Sequence, residues 1–240
     1  MQLLRPMKIS RYFIYIIWLI LFGCSPTYIL QLHEEKVIGI QAENDSSIMA
    51  IIYPYQKAIE SEMNEVLTYT KYDLEKGTPQ STIGNFVTDL CLNYADAHIC
   101  VMNNGGLRTT LAKGEITRGD IYKLMPFENE LVVLELNKTD FIGLLKHITN
   151  MGGEPFSGIN ISMTSKGELI DYSVPIDFDK DKKVSIITSN YLANKLWFFK
   201  DKKQQKVGIK LRDAIIDYCS KTDTIAVSLD GRIQIIENGE

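Results

Sequence analysis

Residues 101–132 read VMNNGGLRTTLAKGEITRGDIYKLMPFENELV, and the fold is organised around this stretch. The apolar run at 98–102 predicts a buried strand that ends at the asparagine pair 103–104. Strand ends are where folds that combine helices and sheets place their binding groups. The glycine pair 105–106 lets the backbone take a positive φ and lets another group approach closely. We therefore predict a ligand-binding loop here.

Arg108 is the charged group of this loop. Its planar guanidinium presents a fork of donors that suits a phosphate, a carboxylate or a sugar diol. One arginine after a glycine pair has little packing purpose, which favours a binding role. Two neighbours keep a structural alternative, because Phe127 after Pro126 also suits a hydrophobic core and Asn103 also suits the cap of a turn.

Residues 1–23 predict an export signal. They carry basic but no acidic residues, followed by an apolar run at 12–22. A basic start before an apolar run of about 7 to 15 residues is typical of a secretory signal. Leu-Phe-Gly-Cys at 21–24 resembles a lipobox, so we predict a lipidated Cys24 and membrane anchoring in the periplasm or at the cell surface. A single anchoring helix is the alternative, although about 20 apolar residues are needed to span a bilayer.

Residues 24–44 are predicted to form a lipid-anchored linker that can include an edge strand, and residues 45–240 to form one domain. The composition, 45% hydrophobic and 23% charged, is that of an ordinary globular protein. Removal of residues 1–23 takes away three basic residues and leaves 23 against 30 acidic ones, a formal net charge of −7. This charge argues against a nucleic-acid partner, which requires a basic face.

The sequence shows no cluster of metal-ligating or catalytic residues. The three histidines, His33, His98 and His147, have no companions at ligand spacing. We therefore predict no catalytic residue, no metal and no cofactor in this chain, and a packed or surface position for His147. Cys91 and Cys100 lie on apolar stretches and are predicted to be small buried hydrophobes.

Periodicity predicts the remaining elements. Helices are expected over 45–67, 81–95, 119–125, 138–151 and 207–220, and strands over 65–74, 131–136, 159–163, 172–178, 183–188 and 232–236. Gly84, inside the second of these helices, is expected to permit close packing against a neighbouring segment.

Several ordered blocks resemble a known family. Asn-Asn-Gly-Gly-Leu-Arg at 103–108 is followed by Gly-Glu-Ile-Thr-x-Gly-Asp-Ile-Tyr at 114–122, Pro-Phe-x-Asn at 126–129 and Ser-Asn-Tyr-Leu-Ala-Asn at 189–194. Together they resemble the C-terminal domain of bacterial and animal 5'-nucleotidases, over about residues 45–236. The resemblance implies an α+β fold in which mixed sheets pack against helices.

The resemblance also implies a nucleotide-binding site. Phe127 and Tyr191 would hold a planar base between two rings, a contact worth roughly 1 to 3 kcal/mol per stacked base. Asn103 and Arg108 would provide polar contacts, and Asn129 would bond to the edge of the base.

Two positions depart from the family pattern. The family has an arginine near the start of the second helix, where this chain has Gly-Thr-Pro-Gln at 77–80. It also has an aspartate that accepts bonds from ribose hydroxyls, where this chain has Trp197, whose indole only donates. Each missing charged hydrogen bond removes about 1.5 to 3 kcal/mol. Nucleotide affinity is therefore expected to be about two to four orders of magnitude weaker.

Three hypotheses about function follow. In the full enzymes of that family, a two-metal site on an N-terminal domain hydrolyses the nucleotide. The first hypothesis is that this domain serves a separate metallophosphatase chain, which holds the divalent metal pair. The second is a lipid-anchored protein that binds a nucleoside, a nucleotide or another planar ligand without catalysis. The third is a scaffold whose degenerate site no longer binds nucleotides.

Overall fold

A mixed five-stranded sheet lies at the centre of the fold, in a computed structural model that describes residues 45–178 and 183–237. Its strands, in spatial order, are β5 (Phe156–Ser157), β2 (Ile99–Val101), β8 (Val184–Ser189), β4 (Glu130–Leu136) and β9 (Gln205–Lys210). β2 and β8 are parallel, and the other neighbouring pairs are antiparallel. The predicted export signal, Cys24 and the linker lie outside the described residues.

Two three-stranded sheets flank the central one in the fold. One consists of β10 (Thr224–Ile225), β1 (Val66–Thr70) and β3 (Gly114–Thr117), and the other of β11 (Ile233–Ile235), β6 (Asn160–Met163) and β7 (Leu169–Ser173). Each combines one parallel with one antiparallel pair. These bounds confirm the predicted strands at 65–74, 159–163 and 232–236 to within a few residues.

One predicted strand is wrong over most of its length. A strand was expected at 172–178, but β7 ends at Ser173 and residues 174–178 are irregular. Val174, Ile176 and Phe178 pack against the core without strand pairing. Their alternation in the sequence therefore reflects burial of every second side chain, which an irregular segment achieves as well as a strand does.

The helices are α1 (Ser46–Met63), α2 (Thr82–Cys91), α3 (Arg118–Leu124), α4 (Lys138–Asn150), α5 (Asn190–Lys195) and α6 (Leu211–Ser220). The side chains of Ser81, Thr117, Asn137 and Ser189 cap α2 to α5 by accepting a backbone hydrogen bond in the first turn. The bounds of α1 to α4 confirm the first four predicted helices to within a few residues.

The fifth predicted helix, 207–220, is wrong in its first part. Residues 205–210 form β9, and the helix begins only at Leu211. Val207 and Ile209 alternate as they do in a strand, and Gly208 between them has a φ of +90°, which no α-helix contains. Pairing with β4 decides the conformation of these residues.

The two faces of the central sheet bury separate hydrophobic cores. Cys100, Leu131 and Ile187 point to the face that α2, α3 and α6 cover. The neighbouring residues on the same strands, such as Val101 and Ile186, point to the opposite face. That face packs against α4, the 3₁₀ turn at 197–199 and the sheet of β6. Because successive side chains of a strand point to opposite faces, the strands of one sheet contribute residues to both cores.

α1 buries none of its residues. Its apolar positions recur at helix spacing, yet Ile51, Tyr55 and Ile59 are exposed by 68%, 71% and 58%. The end of the helix meets α3, where a Cβ on Gly119 would stand 3.0 Å from the carbonyl oxygen of Met63. No helix among the described residues has the length and apolar character needed to cross a membrane.

Truncation of one buried and one exposed aromatic side chain measures this difference. Phe141→Ala, on the buried face of α4, is expected to lower the free energy of unfolding by about 3 to 5 kcal/mol because it removes packed apolar contacts. Tyr55→Ala on α1 is expected to change it by about 0.5 kcal/mol or less. Urea denaturation of the two variants checks this, and similar losses in both would contradict the exposed position of α1.

Candidate functional site

One edge of the central sheet collects the loops that carry the predicted site residues. The carboxyl ends of β2 and β8 reach this edge together because the two strands are parallel. The amino ends of β4 and β5 reach it because each is antiparallel to one of those strands. Asn103 follows β2, Tyr191 follows β8, Asn129 precedes β4 and Glu154 precedes β5. Strand direction therefore brings together residues that are far apart in the sequence.

These loops line a cavity of about 410 Å³, here called the site cavity. All five residues predicted from the sequence line it: Asn103, Arg108, Phe127, Asn129 and Tyr191. The volume lies within the roughly 300 to 1,000 Å³ of small-molecule sites. The structure brings the five positions together, and their role in binding a ligand stays a prediction.

The two aromatic residues present their rings to solvent. Phe127 is 42% exposed and Tyr191 is 47% exposed, so the alternative of Phe127 as a core residue does not hold. The ammonium of Lys195 lies 5.5 Å from the centre of the Tyr191 ring, one helical turn further along α5. Both rings therefore retain surface on which a planar group can stack.

The glycine loop keeps two polar side chains available. Asn103 occupies the N-cap of the 3₁₀ turn Asn104–Gly106, but its side chain makes no capping hydrogen bond. The side chain packs over Gly106 instead, where a Cβ would stand 3.2 Å from its Oδ1. The exposed Arg108 donates through Nη1 to the carbonyl of Gly105 over 3.3 Å, a long and weak hydrogen bond. Most of the hydrogen-bonding capacity of these two side chains is thus unused by the described residues.

An ion-pair cluster holds the loop that carries Phe127 and Asn129. Glu128, between them, accepts hydrogen bonds from Lys210 at the end of β9 and from Arg212 in the first turn of α6. The guanidinium carbon of the buried Arg212 lies 4.3 Å from the centre of the Tyr122 ring. The backbone N–H of residue 211 also donates to the carbonyl of Asn129 over 2.8 Å. These bonds fix the loop to the sheet edge.

Three side chains of the site cavity were not predicted from the sequence: Met151, Glu154 and Lys195. Glu154 is only 8% exposed. Burial raises the pKa of its carboxyl group, while a hydrogen bond from the backbone of Asn104 and the charge of Lys195 act in the opposite direction. The only signal in the sequence is an acid between a glycine and a proline in a turn-rich loop.

The two positions that depart from the family pattern lie outside the site cavity. Gln80, in the segment where an arginine was expected, donates through Nε2 to Asp230 Oδ1 over 2.6 Å. Trp197 is 67% exposed and packs edge-to-face on Phe198, with ring centres 5.4 Å apart. A Cβ on Gly143 would stand 3.1 Å from the indole. Trp197 therefore does not fill the cavity.

Several smaller predictions have structural outcomes. A Cβ on Gly84 would stand 3.1 Å from the ring of Pro155, which confirms the close packing expected of this glycine. His147 packs against Phe198 with ring centres 5.9 Å apart. Cys91 and Cys100 are buried thiols, as predicted. Within the described part of the chain, no group of three His, Cys, Asp or Glu side chains is placed to hold a metal ion.

Comparison with known proteins shows the family. The sequence profile of the "5'-nucleotidase, C-terminal domain" matches residues 65–196, more than half of the chain. The chain belongs to the 5'-nucleotidase C-terminal domain family. The family predicted from the sequence blocks is thus confirmed, as is the α+β fold.

Individual relatives of this 5'-nucleotidase C-terminal domain are distant. Endonuclease YhcR of Bacillus subtilis is 27% identical over 218 residues, which cover 81% of this chain and 17% of the relative. An apyrase of Tabanus yao is 24% identical over 222 residues, which cover 76% and 40%. The solved 5'-nucleotidase precursor of Thermus thermophilus has the same fold, with a TM-score of 0.67 at 23% identity over 83% of this chain and 45% of its own. The chain spans less than half the length of each of these proteins.

The cluster around Glu128 gives a pH-dependent prediction. Hydrogen bonds from Lys210 and Arg212 lower the pKa of Glu128 from 4.5 to about 2. Because the folded-state pKa is depressed, the stabilisation is complete above pH 4.5 and is lost as the pH falls towards about 2. We expect Glu128→Gln to lower the melting temperature near neutral pH. The difference in melting temperature between this variant and the wild type should vanish as the pH approaches about 2.

Melting curves across this pH window measure the effect. Glu135→Gln is the matched control, since it removes the exposed pair with Lys183 and lies outside the site cavity. A Glu128→Gln difference that persists below pH 2 would refute the ionic origin of the stabilisation. Because Glu128 is exposed, the effect should also shrink at about 1 M salt, where the screening length is roughly 3 Å.

Proposed function

We propose that this domain binds a nucleotide or nucleoside in the site cavity and presents it to a metallophosphatase on a separate chain. The observation that carries the proposal is the meeting of two exposed rings, two asparagine side chains and one arginine around a single cavity. This combination suits a ligand with a planar ring at one end and an anionic group at the other. A nucleoside monophosphate has both.

Stacking supplies the first part of the affinity. A base between Phe127 and Tyr191 gains dispersion and quadrupole interactions, roughly 1 to 3 kcal/mol per stacked ring. The amide of Asn129 offers both donors and an acceptor to the edge of the base. The Glu128 cluster keeps Phe127 and Asn129 in place before the ligand arrives, so little ordering is needed on binding.

Arg108 supplies the electrostatic part. Its guanidinium is exposed, and its one long bond to Gly105 leaves most of its N–H donors for an anion. A bond between a charged donor and a phosphate oxygen contributes about 1.5 to 3 kcal/mol. Asn103, on the same loop, adds a neutral polar contact.

The open side of the cavity supports a role for a second protein. Phe127 and Tyr191 remain nearly half exposed, so a ligand between them stays accessible from one side. In the proposed arrangement, the partner chain supplies the divalent metal pair and the attacking water, while this chain holds and orients the nucleotide. The basic and apolar residues at 1–23 and the following Cys24 support an exported, lipid-anchored location.

Binding without hydrolysis is the second candidate. The run Lys-Leu-Trp-Phe at 195–198 favours it, because it replaces the acidic position of the family pattern and adds a cation, Lys195, to the rim of the cavity. A domain altered in this way can hold a ligand other than a nucleotide. The two candidates differ in whether a phosphatase activity accompanies the chain.

Calorimetric titration with AMP and adenosine tests the binding site. We expect Arg108→Ala to weaken AMP binding by about 10- to 150-fold, the equivalent of one charged hydrogen bond, and adenosine binding much less. Arg118→Ala is the matched control, because Arg118 pairs with Glu65 outside the cavity. Unchanged AMP affinity in Arg108→Ala would show that this loop is not the site.

Phosphate release tests the partner. The tagged chain, isolated from envelope extracts of its host, is expected to bring with it an AMP-hydrolysing activity that a chelator abolishes, because the metal pair belongs to the partner. Isolation of Arg108→Ala should retain the partner and lower the rate at subsaturating AMP. Nucleotide binding without any accompanying hydrolysis would favour the second candidate.

A further inference from the structure

Glu154 is an acidic residue in an unusual position. It precedes β5, lies against the site cavity and is 8% exposed, whereas acidic residues are almost never fully buried unless they are paired. Its Oε2 accepts a hydrogen bond from the backbone N–H of Asn104 over 2.5 Å. No other hydrogen bond or ion pair reaches this carboxylate from the described residues.

One hydrogen bond leaves most of the carboxylate unused. Its two oxygens offer about four acceptor positions, and burying a charge is costly unless those positions are filled. Lys195 lies near enough for its charge to favour the ionised form, but among the described residues it forms no ion pair with Glu154. Glu154 itself lines the cavity in which a ligand is proposed to bind.

The loops around Glu154 hold it rigidly. Asn104 Nδ2 donates to the carbonyl of Gly153 over 2.7 Å, and the backbone N–H of residue 102 donates to the carbonyl of Pro155 over 2.8 Å. Gly153 has a φ of +106°, and a Cβ there would stand 2.0 Å from the carbonyl oxygen of Pro79. These contacts fix the backbone on both sides of Glu154, and the hydrogen bond from the backbone of Asn104 orients its carboxylate.

The two opposite charges at the cavity favour different chemical groups at the two ends of a ligand. Arg108 and Glu154 line the same cavity but bond to different groups, Arg108 to the carbonyl of Gly105 and Glu154 to the backbone N–H of Asn104. An anionic group is attracted to Arg108 and repelled by Glu154, so the part of the ligand at Glu154 has to be neutral or cationic and to carry hydrogen-bond donors. In a nucleotide, the neutral donors next to both base and phosphate are the two hydroxyls of ribose.

We propose that Glu154 accepts hydrogen bonds from the vicinal hydroxyls of a ribose and thereby makes the site select ribonucleosides over 2'-deoxyribonucleosides. This inference rests on the proposed function, since it requires a nucleoside in the site cavity. A deoxyribose would leave part of the buried carboxylate without a donor, and unfilled buried acceptors discriminate strongly between ligands. Glu154 is thus assigned as a specificity-determining residue.

Titration of the purified full chain with adenosine, 2'-deoxyadenosine and inosine tests this assignment. The wild type is expected to bind adenosine about 10-fold or more tightly than 2'-deoxyadenosine. Glu154→Gln, which keeps the shape and removes the charge, is expected to reduce that ratio to about 3-fold or less. Glu168→Gln is the matched control, an exposed glutamate outside the cavity that should keep the wild-type ratio.

Each other outcome overturns the assignment in a distinct way. An equal ratio of adenosine to 2'-deoxyadenosine affinity in the wild type and Glu154→Gln means that the carboxylate does not bind the sugar hydroxyls. Nucleoside binding, and with it the proposed function, is then unaffected. A preference for adenosine over inosine that Glu154→Gln removes means that the carboxylate binds the amino group of the base instead. No binding of any nucleoside by the wild type refutes the proposed function together with this inference.

If Glu154→Gln impairs folding, Glu154→Asp retains the charge with a shorter reach and should also reduce the ratio.

Discussion

The parallel pairing of β2 with β8 is the constraint on which the rest of the structure depends. Residues 99 and 100 pair with 186 and 187, and Thr188 Oγ1 adds a bond to the carbonyl of Val101 over 2.7 Å. Two parallel neighbours end at the same edge of a sheet, and the antiparallel strands β4 and β5 begin there. Four loops meet at one edge as a result. A shift of β2 by one residue would exchange its two cores and displace the loop that follows it.

The site combines a rigid framework with unpaired functional groups. Below the cavity, strands and capped helices satisfy their backbone groups, and Glu128 and Arg212 tie the loop of Phe127 to α6. At the cavity itself, Arg108 and Glu154 retain unused donors and acceptors. This distribution is what pre-organised recognition requires, since a ligand then supplies the missing partners without reordering the loops. The departures from the family pattern leave this arrangement intact, because Trp197 lies on the surface and Gln80 is engaged with Asp230.

The sequence alone determined the local structure and the family. Caps at Ser81, Thr117 and Asn137, with apolar residues at helix spacing, specified three helices because those signals act within a few residues. The five site residues were also predicted at this level, although through resemblance to a family and not through any visible proximity. Local patterns failed at 174–178 and 207–210, where alternation of buried side chains did not say whether a strand, a helix or an irregular segment would form.

The tertiary structure decided what these residues do together. Residues 103, 127 and 191 become neighbours only because strands from distant parts of the chain pair in one sheet, and pairing partners are not encoded in any short window. Glu154 is the clearest case. Nothing in its neighbours predicts a buried carboxylate, because its burial and its single hydrogen bond come from a loop 50 residues earlier in the chain. Burial and unfilled hydrogen-bond acceptors depend on the assembled fold, so the sequence pattern alone could not predict them.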